Sequence, residues 1–335
     1  MNKFYKILFF NSLVIGTLIT ISSYSWFSMW MGLEINLLSF IPLMSKVENI
    51  YPSESAIKYF ITQSMASSIL LFAIIMMMNV KEFIPQNSDY SFMMILNSAL
   101  FIKMGAAPFH AWLPEVIEGL DWLNCLIMLT WQKIAPLTIL TYNSKTTLFL
   151  SSIVIASTII GSIQGLNQNS IRKILAYSSI NHMGWMIASI PNSKTIWMVY
   201  FIVYVLISIN IITLLMKLNL FQMSQLFYMS DPKMNMNIMV SFFSLGGLPP
   251  FLGFLPKWMT IYNLIYNKMY FLSLILIIFS LVTTFFYLRI AWSAMMLNCT
   301  ETLYQNTNIK SMTLSILNLI MSTGIIFMPL MINPF

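Results

Sequence analysis

The chain has 335 residues and a formal net charge of +7, yet only 8% of it is charged and 58% is apolar. An ordinary globular chain is about 25% charged, so these 17 basic and 10 acidic residues cannot cover a water-soluble surface of this size. Soluble enzymes, nucleic-acid binders and disordered proteins are excluded together, leaving a chain whose outer surface faces lipid.

In chain order, the opening MNKFYKILFF has the look of a signal peptide. No small-residue cleavage site follows it, so it reads as a retained first helix. Crossing the hydrocarbon core takes about 20 apolar residues. Eight stretches of at least twenty residues contain no Asp, Glu, Lys or Arg: 7–33, 59–80, 146–171, 174–193, 195–216, 234–256, 269–288 and 311–335. Allowing one charge each adds Trp26–Met44 with Glu34, Tyr90–Pro114 with Lys103, and Trp122–Ser144 with Lys133. The expected fold is an all-α integral membrane protein of about eleven transmembrane helices, as a single polytopic domain over residues 1–335.

Sorting Lys and Arg in the connections gives the orientation. With eleven spans, the N-terminal side carries Lys3, Lys6, Lys46, Lys58, Arg172, Lys173, Lys217, Lys233 and Lys310, and the other side Lys81, Lys145, Lys194 and Lys268. Nine against four predicts an N-terminus on the inner side (cytoplasm or matrix) and a C-terminus outside.

Two spans are too long for straight helices. Ser91–Glu118 and Met236–Asn267 hold 28 and 32 residues, which at 1.5 Å each would measure about 42 Å and about 48 Å. Pro108 and Pro114 interrupt the first, and Pro249, Pro250 and Pro256 the second. Proline removes a backbone donor and clashes with the preceding turn, so both spans are expected to be broken helices. An internal repeat sits at the breaks: Pro108-Phe109-x-x-Trp112-Leu113-Pro114-Glu115 aligns with Pro250-Phe251-x-x-Phe254-Leu255-Pro256-Lys257. The copies lie five spans apart and so run oppositely through the membrane, an inverted repeat of the kind that marks transport paths in secondary transporters. The expected organisation is a first half-repeat at 1–145 with its broken helix at 91–118, a second at 146–300 with its broken helix at 236–267, and a C-terminal helix at 301–335.

A charge at the bilayer centre costs about 2.5–3.5 kcal/mol on insertion scales, so each one needs a reason. Long side chains near span ends can reach the headgroups, which accounts for Lys58, Lys217 and Arg289. Glu34 is too short for that, Lys133 lies mid-span with Thr130 one turn away, and Lys103 precedes the first break beside Gly105, Ala106 and Ala107. Lys257 directly follows the second break. Intramembrane ionisable groups mark ion paths, and these suit protons. Burial disfavours the charged form of a titratable group and a nearby opposite charge restores it, so moving a carboxylate relative to a lysine gates proton uptake and release. Glu34 could face any of the lysines.

His182 lies in a polar run with Tyr177, Ser178, Ser179 and Asn181. A proton relay and a purely structural hydrogen bond are equally good readings of it. His110, inside the first break, reads as a partner for exposed backbone. Gly161-x-x-x-Gly165 is a weak helix-packing signal. No G-x-G-x-x-G or P-loop occurs, and Cys125 and Cys299 stand apart, so the sequence gives no nucleotide, disulfide, zinc, metal or iron–sulfur signature. The abundance of Met, Phe, Asn, Ile, Lys and Tyr, with Arg only at Arg172 and Arg289, points to an A/T-rich gene of organellar type.

Five runs carry a resemblance: Trp30-Met31-Gly32-Leu33-Glu34-Ile35-Asn36, Lys103 to Trp112, Trp131-Gln132-Lys133-Ile134-Ala135-Pro136, Ser178 to Trp185, and Leu245 to Lys257. They resemble, over the whole chain, the antiporter-like membrane-arm subunits of mitochondrial NADH:ubiquinone oxidoreductase (respiratory complex I), in particular its subunit-2 type, and the composition is similar to insect versions. The resemblance implies an antiporter-like fold lacking three N-terminal helices, and a midplane proton relay at Glu34, Lys103, Lys133 and Lys257, with Glu34 paired to Lys103. It implies a subunit of a proton-translocating enzyme with no redox centre of its own, NADH, FMN, iron–sulfur clusters and ubiquinone being bound by other subunits. It further implies the mitochondrial inner membrane, neighbours among the membrane-arm subunits (4L and 4 especially) and accessory subunits, phospholipids including cardiolipin, and no nucleic acid. A stand-alone cation/proton antiporter and a scaffold with vestigial charges are the rival readings.

Overall fold

The computed structural model describes residues 4–45, 50–80, 88–144, 146–228, 232–295 and 322. The helices are α1 (Phe4–Ser22), α2 (Trp26–Met44), α3 (Ile50–Val80), α4 (Ser88–Met104), α5 (Trp112–Gly119), α6 (Trp122–Leu129), α7 (Trp131–Tyr142), α8 (Thr147–Leu166), α9 (Ile171–Ser189), α10 (Lys194–Leu218), α11 (Pro232–Gly246), α12 (Phe254–Tyr266) and α13 (Tyr270–Met295). A short 3-10 helix, Met223–Tyr228, follows α10. The chain forms two compact units, Met1–Ala156 and Ser157–Phe335, so the division falls inside α8. The expected C-terminal helix at 301–335 lies outside the described residues apart from Ser322.

Among the described residues, seven helices are long and apolar enough to cross a membrane: α1, α2, α3, α6 with α7, α8, α10 and α13. The polar run in α9 keeps it out of that set, and sixteen of its nineteen residues are buried. Protein, not lipid, covers α9, which is how its serines, Asn181 and His182 are tolerated. Hydroxyls along the helices are satisfied locally: Thr20 donates to the Thr17 carbonyl (2.7 Å) and Ser178 to the Leu175 carbonyl (2.8 Å).

The helix leaves off at Met104 and resumes at Trp112, and again leaves off at Gly246 and resumes at Phe254. Both exits are Schellman turns. Gly105 N–H donates to Ile102 (3.2 Å) and Ala106 N–H to Phe101 (3.0 Å), while Gly247 N–H donates to Ser244 (3.1 Å) and Leu248 N–H to Phe243 (3.4 Å). The turn needs a left-handed residue, supplied by Gly105 at φ 70° and Gly247 at φ 73°. Pro114 and Pro256 fall in the first turn of the resuming helices, where a missing N–H breaks no intrahelical bond.

The span expected at 122–144 divides at Thr130, which sits between α6 and α7 at φ −114°, ψ −70°. Pro136, inside α7, cannot bond the carbonyl four residues back. Elsewhere small residues let helices touch backbone to backbone. Gly16 of α1 lies against the Gly32 carbonyl and Asn36 nitrogen of α2, and Gly161 of α8 against α9 at Tyr177 and Asn181. Arg289 does not reach outward as expected. Its guanidinium donates to the carbonyls of Leu166 (2.8 Å) and Gln168 (3.0 Å), closing the C-terminal end of α8.

Candidate functional site

In the first unit, α2 carries Glu34, the last turn of α4 carries Lys103 and the first turn of α7 carries Lys133. Lys103 and Lys133 are only 7% and 2% exposed. Removing an ammonium group from water costs several kcal/mol, so the polar groups nearby have work to do. Glu34 lies close enough to act electrostatically on both Lys103 and Tyr59, and one of its carboxylate oxygens is buried without a hydrogen-bond partner among the described residues.

A small cavity lies beside this pair, lined by Asn36, Tyr59, Gln63, Lys103, Gln132 and Pro136, with room for about one water molecule. Gln132 Nε2 donates to Asn36 Oδ1 (3.1 Å), Gln63 Nε2 donates to the Lys103 carbonyl (3.3 Å), and the Tyr59 hydroxyl stands 3.5 Å from Gln132 Oε1. Gln132 is the neighbour of Lys133 in the chain. Amides and a phenol each donate and accept, so the cluster can orient solvent between the Glu34–Lys103 pair and α7. At the exposed rim Lys58 pairs with Glu54 and with Glu115 of α5, each at 3.0 Å.

In the second unit, His182 of α9 shares a hydrogen bond of 2.9 Å with the Tyr200 hydroxyl of α10, and the Tyr204 ring lies 5.3 Å from the imidazole, centre to centre. His182, Tyr200, Tyr204, Ser244 and Pro256 line a second cavity. Lys257, 6% exposed, reaches back across the interruption. Its Nζ donates to the Gly246 carbonyl at 2.7 Å and stands 5.7 Å from the centre of the Trp185 ring. Pro108, Pro249 and Pro250 lie within the two interruptions. His110 Nδ1 is 3.2 Å from the Pro108 carbonyl, a partner for interrupted backbone.

The sequence pattern described as NADH:quinone oxidoreductase/Mrp antiporter, TM, matches residues 23–283. NADH-ubiquinone oxidoreductase chain 2 of Anopheles gambiae is 48% identical over 331 residues, covering 97% of this chain and 96% of that one. The chain belongs to this NADH:quinone oxidoreductase/Mrp antiporter family. The Locusta migratoria chain 2 is 45% identical, over 97% of this chain and 96% of its own, and that of Loxodonta africana 38%, over 93% and 90%. Among solved structures, a chain of respiratory complex I from Thermus thermophilus with bound aureothin superposes with a TM-score of 0.85 at 22% identity, covering all of this chain and 79% of that one. A chain of the Mrp complex from a Dietzia species gives 0.75 at 16% identity, over 84% and 59%. Both share the family fold.

Within the first unit the fold thus sets Glu34 within electrostatic reach of Lys103 and places Lys103, Asn36, Tyr59 and Gln132, the residue beside Lys133, around one small cavity. Within the second it gathers His182 and Lys257 around α9. Sequence reasoning missed Tyr59, Gln63, Gln132, Tyr200 and Trp185. Gln63 and Gln132 had a signal, each being an uncharged amide inside an apolar stretch. The aromatic residues had none, because aromatic side chains are everywhere in this sequence.

Proposed function

We propose that the chain is a proton-translocating, antiporter-like subunit of the membrane arm of an H+-translocating NADH:ubiquinone reductase. In this reading Glu34, Lys103, Lys133, His182 and Lys257 carry protons, and NADH, FMN, iron–sulfur clusters and ubiquinone belong to other subunits. The observation that carries it is the burial of Lys103, Lys133 and Lys257 inside helical units otherwise built to face lipid. Burying an ammonium group costs folding free energy, and ionisable groups kept within a membrane mark ion paths. The curated relatives, named as chains of NADH-ubiquinone oxidoreductase and matching nearly end to end, supply the assembly.

The same reading takes eleven spans: the seven apolar helices, α9, the two interrupted helices α4–α5 and α11–α12, and the C-terminal segment. It takes the mitochondrial inner membrane as the site, with the N-terminus on the matrix side. Subunits 4L and 4, accessory subunits and phospholipids including cardiolipin are the neighbours it calls for.

Lys133→Ala tests it in mitochondria whose complex still assembles. The expected result is a loss of protons pumped per NADH oxidised, or a fall of both together. Normal pumping and normal turnover would leave the buried lysine without a transport role. If instead the detergent-purified chain alone exchanges a cation for protons, a free-standing antiporter is the better description.

A further inference from the structure

The two buried broken-helix lysines are compensated differently. Lys103 has Glu34 close by. The sequence from 157 to 335 holds only two acidic residues, Asp231 and Glu301, which in the chain precede α11 and follow α13. None lies on the helices around Lys257, namely α9, α10, α11, α12 and α13. What meets its ammonium is the Gly246 carbonyl, at the negative C-terminal end of α11, and the face of the Trp185 indole.

These two contacts respond differently to the loss of a proton. A neutral amine still donates to a carbonyl, so the Gly246 bond survives deprotonation. Attraction to the face of an aromatic ring needs the positive charge. Trp185 is 1% exposed, and its Nε1–H has no hydrogen-bond partner among the described residues. Its polar edge is therefore not spent on anchoring the ring, which leaves the π face as its contact with a charged group. The lysine stem is held as well, since a Cβ at Gly247 would come within 2.9 Å of Lys257 Cδ.

We propose that Trp185 is a positioning residue for Lys257, its indole face standing where the first unit uses a carboxylate. The ring favours the charged form of Lys257 at the mouth of the interruption, and that attraction is lost once the proton has gone, while the Gly246 bond remains. This rests on Lys257 carrying protons, as proposed above.

The test uses assembled complex in mitochondria carrying W185L, W185F, K257M and the W185L/K257M double variant. Leucine removes the π face; phenylalanine keeps a weaker one. Coupled NADH oxidation is expected to fall about threefold to tenfold in W185L, less in W185F, and no further in the double variant than in K257M. A density map of W185L should show Lys257 still bonded to the Gly246 carbonyl, so that the loss reads on the ring contact alone. If K257M pumps normally, the relay reading itself fails. If K257M is impaired while W185L pumps normally, or W185L adds its full loss on top of K257M, Trp185 does not act through the lysine and only this inference falls. Should W185L not assemble, the same comparison is made with W185F, whose partial loss must vanish in the K257M background.

Discussion

Gly105 and Gly247 adopt the same left-handed conformation, at φ 70° and 73°, 142 residues apart in the sequence. Each ends a helix with the same pair of crossed hydrogen bonds. The carbonyls of these final turns have no intrahelical partner, and in a membrane no water is at hand to replace one. In the first unit neutral donors serve: Trp112 Nε1 bonds the Ile102 carbonyl (3.0 Å) and Gln63 the Lys103 carbonyl (3.3 Å). In the second a lysine takes that place, with Lys257 on the Gly246 carbonyl. One backbone device thus carries two different charge arrangements.

Alanine at either glycine should destabilise the chain, because a Cβ at positive φ costs about 1–2 kcal/mol. The consequences should then diverge. At Gly105 the new carbon meets Leu113 at 3.2 Å; at Gly247 it meets the Lys257 stem at 2.9 Å. Both variants are expected to inactivate at lower temperature, but only Gly247→Ala should also pump fewer protons per NADH. Equal pumping by the two would mean that this turn does not set the lysine's position.

Glu34 and Lys103 should behave as one unit. Glu34→Gln leaves a buried ammonium without its counter-charge, and Lys103→Met leaves the carboxylate alone. Glu34 is half-buried and acts on Lys103 electrostatically, and substitutions at interacting sites do not add. Coupled turnover in the double variant should therefore exceed the product of the two single losses, with a coupling of about 1–3 kcal/mol. Strict additivity would show that the two side chains act independently.

How much of this was legible in the sequence follows from range. The lysines and Glu34 stood out because a charge in an apolar run is conspicuous by itself. Excess length and proline, properties of a segment alone, raised the expectation of interruptions, whereas the left-handed glycines at which α4 and α11 end were not singled out for that role. The division at Thr130 was not legible. Thr130 is an ordinary residue, and the irregularity arises where α6 hands over to a helix containing Pro136. Arg289 was misread for a related reason: its acceptors, Leu166 and Gln168, lie more than a hundred residues earlier. Partners of that kind are fixed only by packing, as are Tyr200 for His182 and Trp185 for Lys257.

Tyr200→Phe distinguishes a relay histidine from a structural one. The substitution removes the hydroxyl on His182 Nδ1 and leaves the buried histidine one partner fewer, at a cost of about 1–3 kcal/mol. If His182 passes protons, coupled turnover should fall severalfold while assembly is retained. Tyr204→Phe is the comparison, because the Tyr204 hydroxyl faces Ser179 while its ring packs on the imidazole. The same phenotype from both would point to packing rather than to the hydrogen bond.

Arg289→Lys should separate stability from transport. The guanidinium spans two carbonyls at once, Leu166 and Gln168, in a fixed fork. A lysine ammonium is a point donor on a flexible stem and cannot reproduce both bonds. Losing one charged hydrogen bond at a helix end costs about 1.5–3 kcal/mol, and leaves a carbonyl of the α8–α9 connection unpaired. Thermal inactivation of the complex should therefore begin at lower temperature. Protons pumped per NADH should not change at permissive temperature, because the guanidinium's hydrogen bonds among the described residues go to the backbone carbonyls of Leu166 and Gln168. A reduced proton ratio in a fully assembled Arg289→Lys complex would instead make the guanidinium part of the proton path.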